Sequence, residues 1–145
     1  MATAFIDTNI FLRYLIQPGP TEPQLAAQTQ QAQAIIQQLD SGALSAATCE
    51  GVIIEVVWVL TSKTLYNVPR DEVQRLLSPL LRLKGLSLAN KRTYLQALDL
   101  FTQYQFLDFV DALNVAHMRR LGLREILSFD RDFDRVPEVE RRVQR

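Results

Sequence analysis

Ala4-Phe5-Ile6-Asp7-Thr8-Asn9-Ile10-Phe11-Leu12-Arg13-Tyr14-Leu15-Ile16 holds the key to the fold class. Its first three residues form a short apolar run that stops at Asp7-Thr8-Asn9, which reads as a strand followed by a polar turn. Ile10 to Ile16 then has helical length and little alternation. The same unit recurs. Leu44-Ser45-Ala46 precedes a helix over Cys49 to Leu65 that Thr48 is placed to cap. Leu86-Ser87-Leu88 precedes an amphipathic helix from Asn90 to Tyr104, and Ile126-Leu127-Ser128-Phe129 is a fourth strand ending at Asp130. Short apolar strands alternating with helices call for a parallel sheet covered on both faces. Ligands of such sheets bind beyond the carboxyl ends of the strands, where Asp7 and Asp130 both fall.

The intervening segments fit this plan. Gln17 to Pro23 is dense in helix breakers and reads as a loop. Leu25 to Leu39 is a glutamine- and alanine-rich helix with Leu25, Ala32, Ile35, Ile36 and Leu39 as its apolar stripe. Pro69-Arg70-Asp71-Glu72 opens another helix towards Leu83, which Pro79 is expected to kink or split. Asp108 starts a helix to Leu121 that Gly122 closes. The arginine-rich tail after Pro137 has no assignable element. With no repeat or linker, residues 1–145 are expected to form a single domain, burying about two-thirds of the unfolded surface.

Composition is that of an ordinary globular chain, 48% apolar and 22% charged. No apolar run reaches the roughly 18 residues of a membrane span. Met1-Ala2-Thr3-Ala4-Phe5 lacks the basic start of a signal peptide, and the single cysteine, Cys49, excludes an internal disulfide. A cytoplasmic location is expected. The net charge is zero, yet unevenly placed: residues 1–60 carry one cation, Arg13, against five acids, and residues 119–145 carry eight arginines against six acids. Arg119, Arg120 and Arg124 are therefore the expected border of any polyanion path, with a solvated helix face as the alternative.

Four acids stand out. Glu55 lies in Val52-Ile53-Ile54-Glu55-Val56-Val57-Trp58-Val59-Leu60, a helix apolar on every side and so expected to be buried. Its neighbours one turn away are Gly51, Val52, Trp58 and Val59, none of which can pair with it. A buried carboxylate needs a proton, hydrogen bonds or a cation. Asp7 follows a strand, Asp111 sits in the first turn of the helix begun by Asp108, and Asp130 ends a strand. Taken singly, each aspartate has a structural reading as turn or cap. Asp132 and Asp134 alternate with Arg131 and Arg135 as a solvated ion-pair run. Together the four acids are placed to converge above a sheet, where their repulsion would call for cations. One histidine, His117, and one cysteine exclude a zinc site, so the hard donors select Mg2+ or Mn2+. His117 is expected to pack on its helix. There is no glycine-rich phosphate loop.

These residues resemble the PIN-domain family. Asp7-Thr8-Asn9 after the first strand resembles its opening motif, Glu55 in an aliphatic helix its second acid, Asp111-Ala112-Leu113 its third, and Ser128-Phe129-Asp130-Arg131-Asp132-Phe133 its last. Ser128 stands where threonine is usual, and Asp108 is an added acid held in reserve behind Asp111. The resemblance implies a three-layer α/β/α sandwich with a short, mostly parallel central sheet, and hydrolysis of RNA by Mg2+ or Mn2+ on Asp7, Glu55, Asp111 and Asp130. Thr8, Asn9 and Ser128 would orient these carboxylates. It further implies a VapC-type toxin of a toxin–antitoxin pair, homodimeric and silenced by a small antitoxin protein.

A phosphatase of the haloacid dehalogenase type also begins with an aspartate after its first strand, but needs a second acid where this chain has Asn9. A phosphoacceptor receiver domain would need a lysine after a late strand, and none is evident. A PIN fold serving only as a binding or scaffold module, and a structure-specific DNA nuclease on the same fold, stay open as alternatives.

Overall fold

Alternation of short strands with helices is what the chain adopts. The computed structural model describes residues 2–16 and 23–143. Apart from Pro23, the loop expected over Gln17 to Pro23 lies outside the described residues. The elements run β1 (Ala4–Phe5), α1 (Thr8–Leu15), α2 (Pro23–Ser41), β2 (Ala46–Ala47), α3 (Glu50–Thr61), α4 (Arg70–Leu81), β3 (Leu86–Ser87), α5 (Lys91–Gln103), α6 (Phe109–Leu121), β4 (Glu125–Leu127), a 3-10 helix (Arg131–Arg135) and β5 (Glu140–Arg142). They fall into two compact units, Met1–Lys91 and Arg92–Arg145. The mixed α/β composition with short parallel sheets is the PIN-like class expected. Among the described residues, no helix is long and apolar enough to cross a membrane.

The first unit is built on a parallel sheet of order β1-β2-β3, with Ala4 opposite Ala46 and Ala46 opposite Leu86. Such pairing needs long crossovers, which α1 with α2 and α3 with α4 supply. α1 packs on α2 and α3, and α3 on α4. Phe11, Leu39, Ile53, Leu60 and Leu77 are fully buried. Gly85 leads into β3 because nothing larger fits. A Cβ there would lie 2.1 Å from the Leu44 carbonyl oxygen and 2.9 Å from that of Leu39. Its own N–H donates to Leu39 O at 2.8 Å.

Two local expectations are corrected in this unit. Thr48 does not cap α3. Cys49 holds the N-cap position without a side-chain bond, while the buried Thr48 hydroxyl donates to the Ile6 carbonyl at 3.1 Å and ties the ends of β1 and β2 together. Of the kink or split expected at Pro79, the split does not occur, since α4 continues to Leu81. Pro79 sits near the C-terminus, where only one more turn depends on the ladder.

The second unit packs α5 and α6 around Leu98, Phe101, Phe109 and Leu113, with the Phe101 and Phe109 rings edge to face at 5.6 Å. Asp108 caps α6 at its start, and Gly122, at φ 70°, caps it in the left-handed region. β4 pairs in parallel with β5, Glu125 opposite Glu140. The tail left unassigned in the sequence is therefore a strand.

Candidate active site

Asp7 lies just past the carboxyl end of β1 and is the N-cap of α1. Its Oδ1 accepts the Thr8 backbone N–H at 2.8 Å. Thr8 thus orients the carboxylate through its backbone, and its side chain is buried. Asn9 is exposed. Since β2 is the parallel neighbour of β1, α1 and α3 both leave the same carboxyl edge of the sheet. α3 carries Glu55.

Glu55 is exposed, contrary to the burial its aliphatic setting suggested. α3 buries Val52, Ile53, Val56, Val57 and Leu60. It presents Gly51, Glu55 and Trp58 to the outside, at the i, i+4, i+7 spacing of one helix face. Between Val52 and Leu60 the non-aliphatic residues are Glu55 and Trp58, and with Gly51 they share one stripe. Solvent can hydrate this carboxylate, so burial does not by itself demand a cation there. Among the described residues no ion pair to Glu55 is found.

In the second unit the acids form a connected group. Asp108 Oδ1 accepts the Asp111 N–H at 2.8 Å as the α6 cap. Asp111 is half-buried in the first turn, and its carboxyl is pushed up to about 6. Burial is the largest cause, followed by the charge of Asp108; Asp130 adds to it, and the backbone bond with Asp108 opposes it. Asp130 caps the 3-10 helix, its Oδ1 accepting the Asp132 N–H at 2.9 Å. The Asp130 N–H in turn donates to Ser128 Oγ at 3.0 Å. The hydroxyl at position 128 therefore fixes the backbone that carries the acid. Asp134 forms a two-pronged pair with Arg141, at 3.0 and 3.2 Å, an ion pair as expected but with a partner on β5 and not the neighbouring Arg131 or Arg135. Asp108, held in reserve on sequence grounds, acts on Asp111 more strongly than Asp130 does.

The arginines expected to border a polyanion path are engaged locally. Arg119 pairs with Glu138, whose carboxyl this bond holds below its usual range. Arg124 approaches Glu140 at 3.9 Å, and an Arg120 nitrogen lies 3.2 Å from His117 Nδ1. His117 packs edge to face on Tyr94 at 6.4 Å, as a helix-packing histidine should.

Asp7 and Glu55 thus belong to the first unit, and Asp108, Asp111 and Asp130 to the second. Among the described residues, no group of three or more such side chains is set to hold a metal ion. The donors are nevertheless all hard oxygens, three at strand ends or helix starts and Glu55 within α3, the chemistry of divalent-cation sites rather than of nucleophilic triads. Comparison with known families matches residues 4–139 to the PIN domain. No curated protein matches the chain.

Proposed function

Because the chain belongs to the PIN domain family, whose members are generally nucleases, we propose that it hydrolyses RNA phosphodiester bonds with Mg2+ or Mn2+ held by Asp7, Glu55, Asp111 and Asp130. The observation that carries this reading is the linked set of acids in the second unit, where Asp108 Oδ1 accepts the Asp111 N–H at 2.8 Å and Asp130 adds its charge to that of Asp108 at the half-buried Asp111. Carboxylates crowded in this way are relieved by a cation, and an all-oxygen set suits a hard one. Capping does not compete with that role. Asp7 and Asp130 each use Oδ1 for a backbone N–H, and an ionised carboxylate offers about four acceptor positions.

The divalent ion would supply Lewis acidity at the phosphate and an acidified water. The chain's own contribution is positional. Thr8 N–H holds Asp7, Asp132 N–H holds Asp130, and Ser128 Oγ holds the Asp130 backbone. Carboxylates fixed before substrate arrives need no reorganisation during the reaction. In the cell the proposed role is that of a VapC-type toxin, homodimeric and silenced by a small antitoxin. One observation favours a second reading, a silent binding module: Glu55 is exposed and has no energetic need of a cation.

The test is cleavage of a mixed-sequence oligoribonucleotide with Mg2+ or Mn2+, with and without EDTA. Wild type should cut only with metal. Asp7→Asn and Glu55→Gln should each lose activity by about 100-fold or more, since each removes a metal ligand. Both should keep their melting temperature, because asparagine still caps α1 and Glu55 is exposed. Cleavage that persists in EDTA would overturn the metal mechanism. An inert wild type points to the binding module, and equal cutting of a DNA strand removes the RNA preference.

A further inference from the structure

Asp130 stands in a turn whose two flanks are held by one side chain from the tail. Arg141, on β5, donates from Nη1 to the Ser128 carbonyl oxygen at 3.2 Å. The same guanidinium donates from Nε to Asp134 Oδ1 at 3.0 Å and from Nη2 to Asp134 Oδ2 at 3.2 Å. Ser128 precedes Asp130 by two residues, and Asp134 follows it by four, inside the 3-10 helix that Asp130 caps. One planar group therefore fastens the residue just past β4 and the helix beyond it to the same strand.

An exposed ion pair contributes little, because water competes for both partners and two long side chains must be ordered. Arg141 differs in three ways. Its side chain is only 18% exposed. It meets Asp134 through two parallel N–H groups, a geometry that fixes orientation as well as distance. Its third bond goes to a backbone carbonyl, so it grips the main chain and not only a side chain. Arg141 is itself held in place by the sheet. It lies opposite Ile126 in the parallel register. On either side, Glu140 N–H donates to Arg124 O at 2.8 Å and Ser128 N–H to Arg142 O at 3.3 Å. The bonds within the turn, from Asp130 N–H to Ser128 Oγ and from Asp132 N–H to Asp130 Oδ1, set its shape. Arg141, with the buried Phe133, sets where the turn lies. Asp130 belongs to the acid group of this unit, since its charge is felt at Asp111.

We propose that Arg141 is a positioning residue for Asp130: its guanidinium, fixed on β5, clamps Ser128 and Asp134 and so holds the carboxylate between them where a divalent cation needs it. The clamp rests on the ligand set put forward above and extends the site to a strand beyond residues 4–139, the segment that matches the family. Arg141 acts through Asp130 and not on the substrate.

Position and charge predict opposite signs. A cation beside the acids repels a divalent ion, so a role by charge alone means that Arg141→Gln tightens Mn2+. A role in holding Asp130 means that the same change loosens Mn2+ by about tenfold, the lower end for a residue that orients a metal ligand. Free Mn2+ is counted by electron paramagnetic resonance as the RNA-free protein is titrated, and the Mn2+ concentration for half-maximal cleavage is measured alongside. Both should rise about tenfold in Arg141→Gln, with kcat at saturating Mn2+ within about threefold of wild type. Arg141→Lys keeps the charge and loses the fork, since an ammonium cannot present three donors in one plane. It should fold and still loosen Mn2+. Melting curves identify a variant that fails to fold, and if Arg141→Gln is one, Arg141→Lys carries the test. Unchanged or tighter Mn2+ binding in Arg141→Gln overturns the clamp and leaves the nuclease standing. So does wild-type Mn2+ binding in Arg141→Lys. A wild type that neither binds Mn2+ nor cuts RNA removes the ligand set and the clamp together.

Discussion

Asp111 shows how one side chain can tie stability to the chemistry proposed for it. Its carboxyl titrates near 6 in the fold, against 3.8 in a free chain. Between those values the folded state binds more protons than the unfolded one, so stability falls as pH rises from about 4 to about 6. The penalty is complete above that window and absent below it. Asp111→Asn should therefore raise the metal-free melting temperature at pH 7 by about 2–4 °C, the equivalent of roughly 1 kcal/mol after solvent screening. The gain should vanish below about pH 4, and parallel melts across pH check it. A gain that persists at pH 3 would assign the effect to something other than charge. Gly85 makes the opposite point, since its role is purely steric. Gly85→Ala drives a methyl group into backbone oxygens of Leu44 and Leu39, and should cost about 3 kcal/mol. A fall in the urea midpoint would measure it. Asp7, Asp111 and Asp130 were legible as residues because polarity breaks an apolar run at each strand end or helix start. Glu55 was misread as buried because aliphatic neighbours in sequence do not say which face of a helix they occupy.

Among elements, α6 is set by its two ends. Asp108 accepts the Asp111 N–H, and Gly122 takes the left-handed cap. Asp108→Ala should lose about 1 kcal/mol of stability through the missing cap. Asp108→Asn keeps a capping oxygen and removes a charge from Asp111, so it should match or exceed wild type in metal-free melts. If both substitutions destabilise equally, the Asp108 charge rather than the cap is what α6 needs. The ends of α6 were legible because Asp108 and Gly122 are local signals. β5 was not. Glu140-Arg141-Arg142 has no apolar alternation and no strong strand former. It is a strand because Glu140 N–H reaches Arg124 O at 2.8 Å, Arg142 accepts from Ser128 N–H, and Arg142 pairs with Glu125 across the sheet. Those partners are supplied by the fold and cannot be read from the tail itself. Thr48 was likewise misplaced, since its hydroxyl serves a strand 42 residues away rather than the next helix.

For the whole molecule, the net charge is zero, and three arginines of the C-terminal stretch are already engaged at Glu138, Asp134 and Glu125, so no concentrated basic patch is set aside for phosphates there. Binding of a single-stranded oligoribonucleotide should therefore weaken only gently with salt, with a log–log slope of about −1 to −2 if two or three phosphates are neutralised. A slope steeper than about −4, lost when Arg119, Arg120 and Arg124 become alanine, would restore the basic path expected from the sequence. The register of the first sheet has one more consequence, and it concerns the ribosome. β1 cannot pair until residues 46–47 exist, and β2 gains its outer neighbour only with residues 86–87. Synthesis at about 5–20 residues per second then leaves some seconds in which β1 to β3 are complete while Asp111 and Asp130 are still untranslated. On the proposed ligand set, a nascent chain tethered beside ribosomal RNA would be harmless until the codon for Asp130 is read, so the order of synthesis itself delays the nuclease.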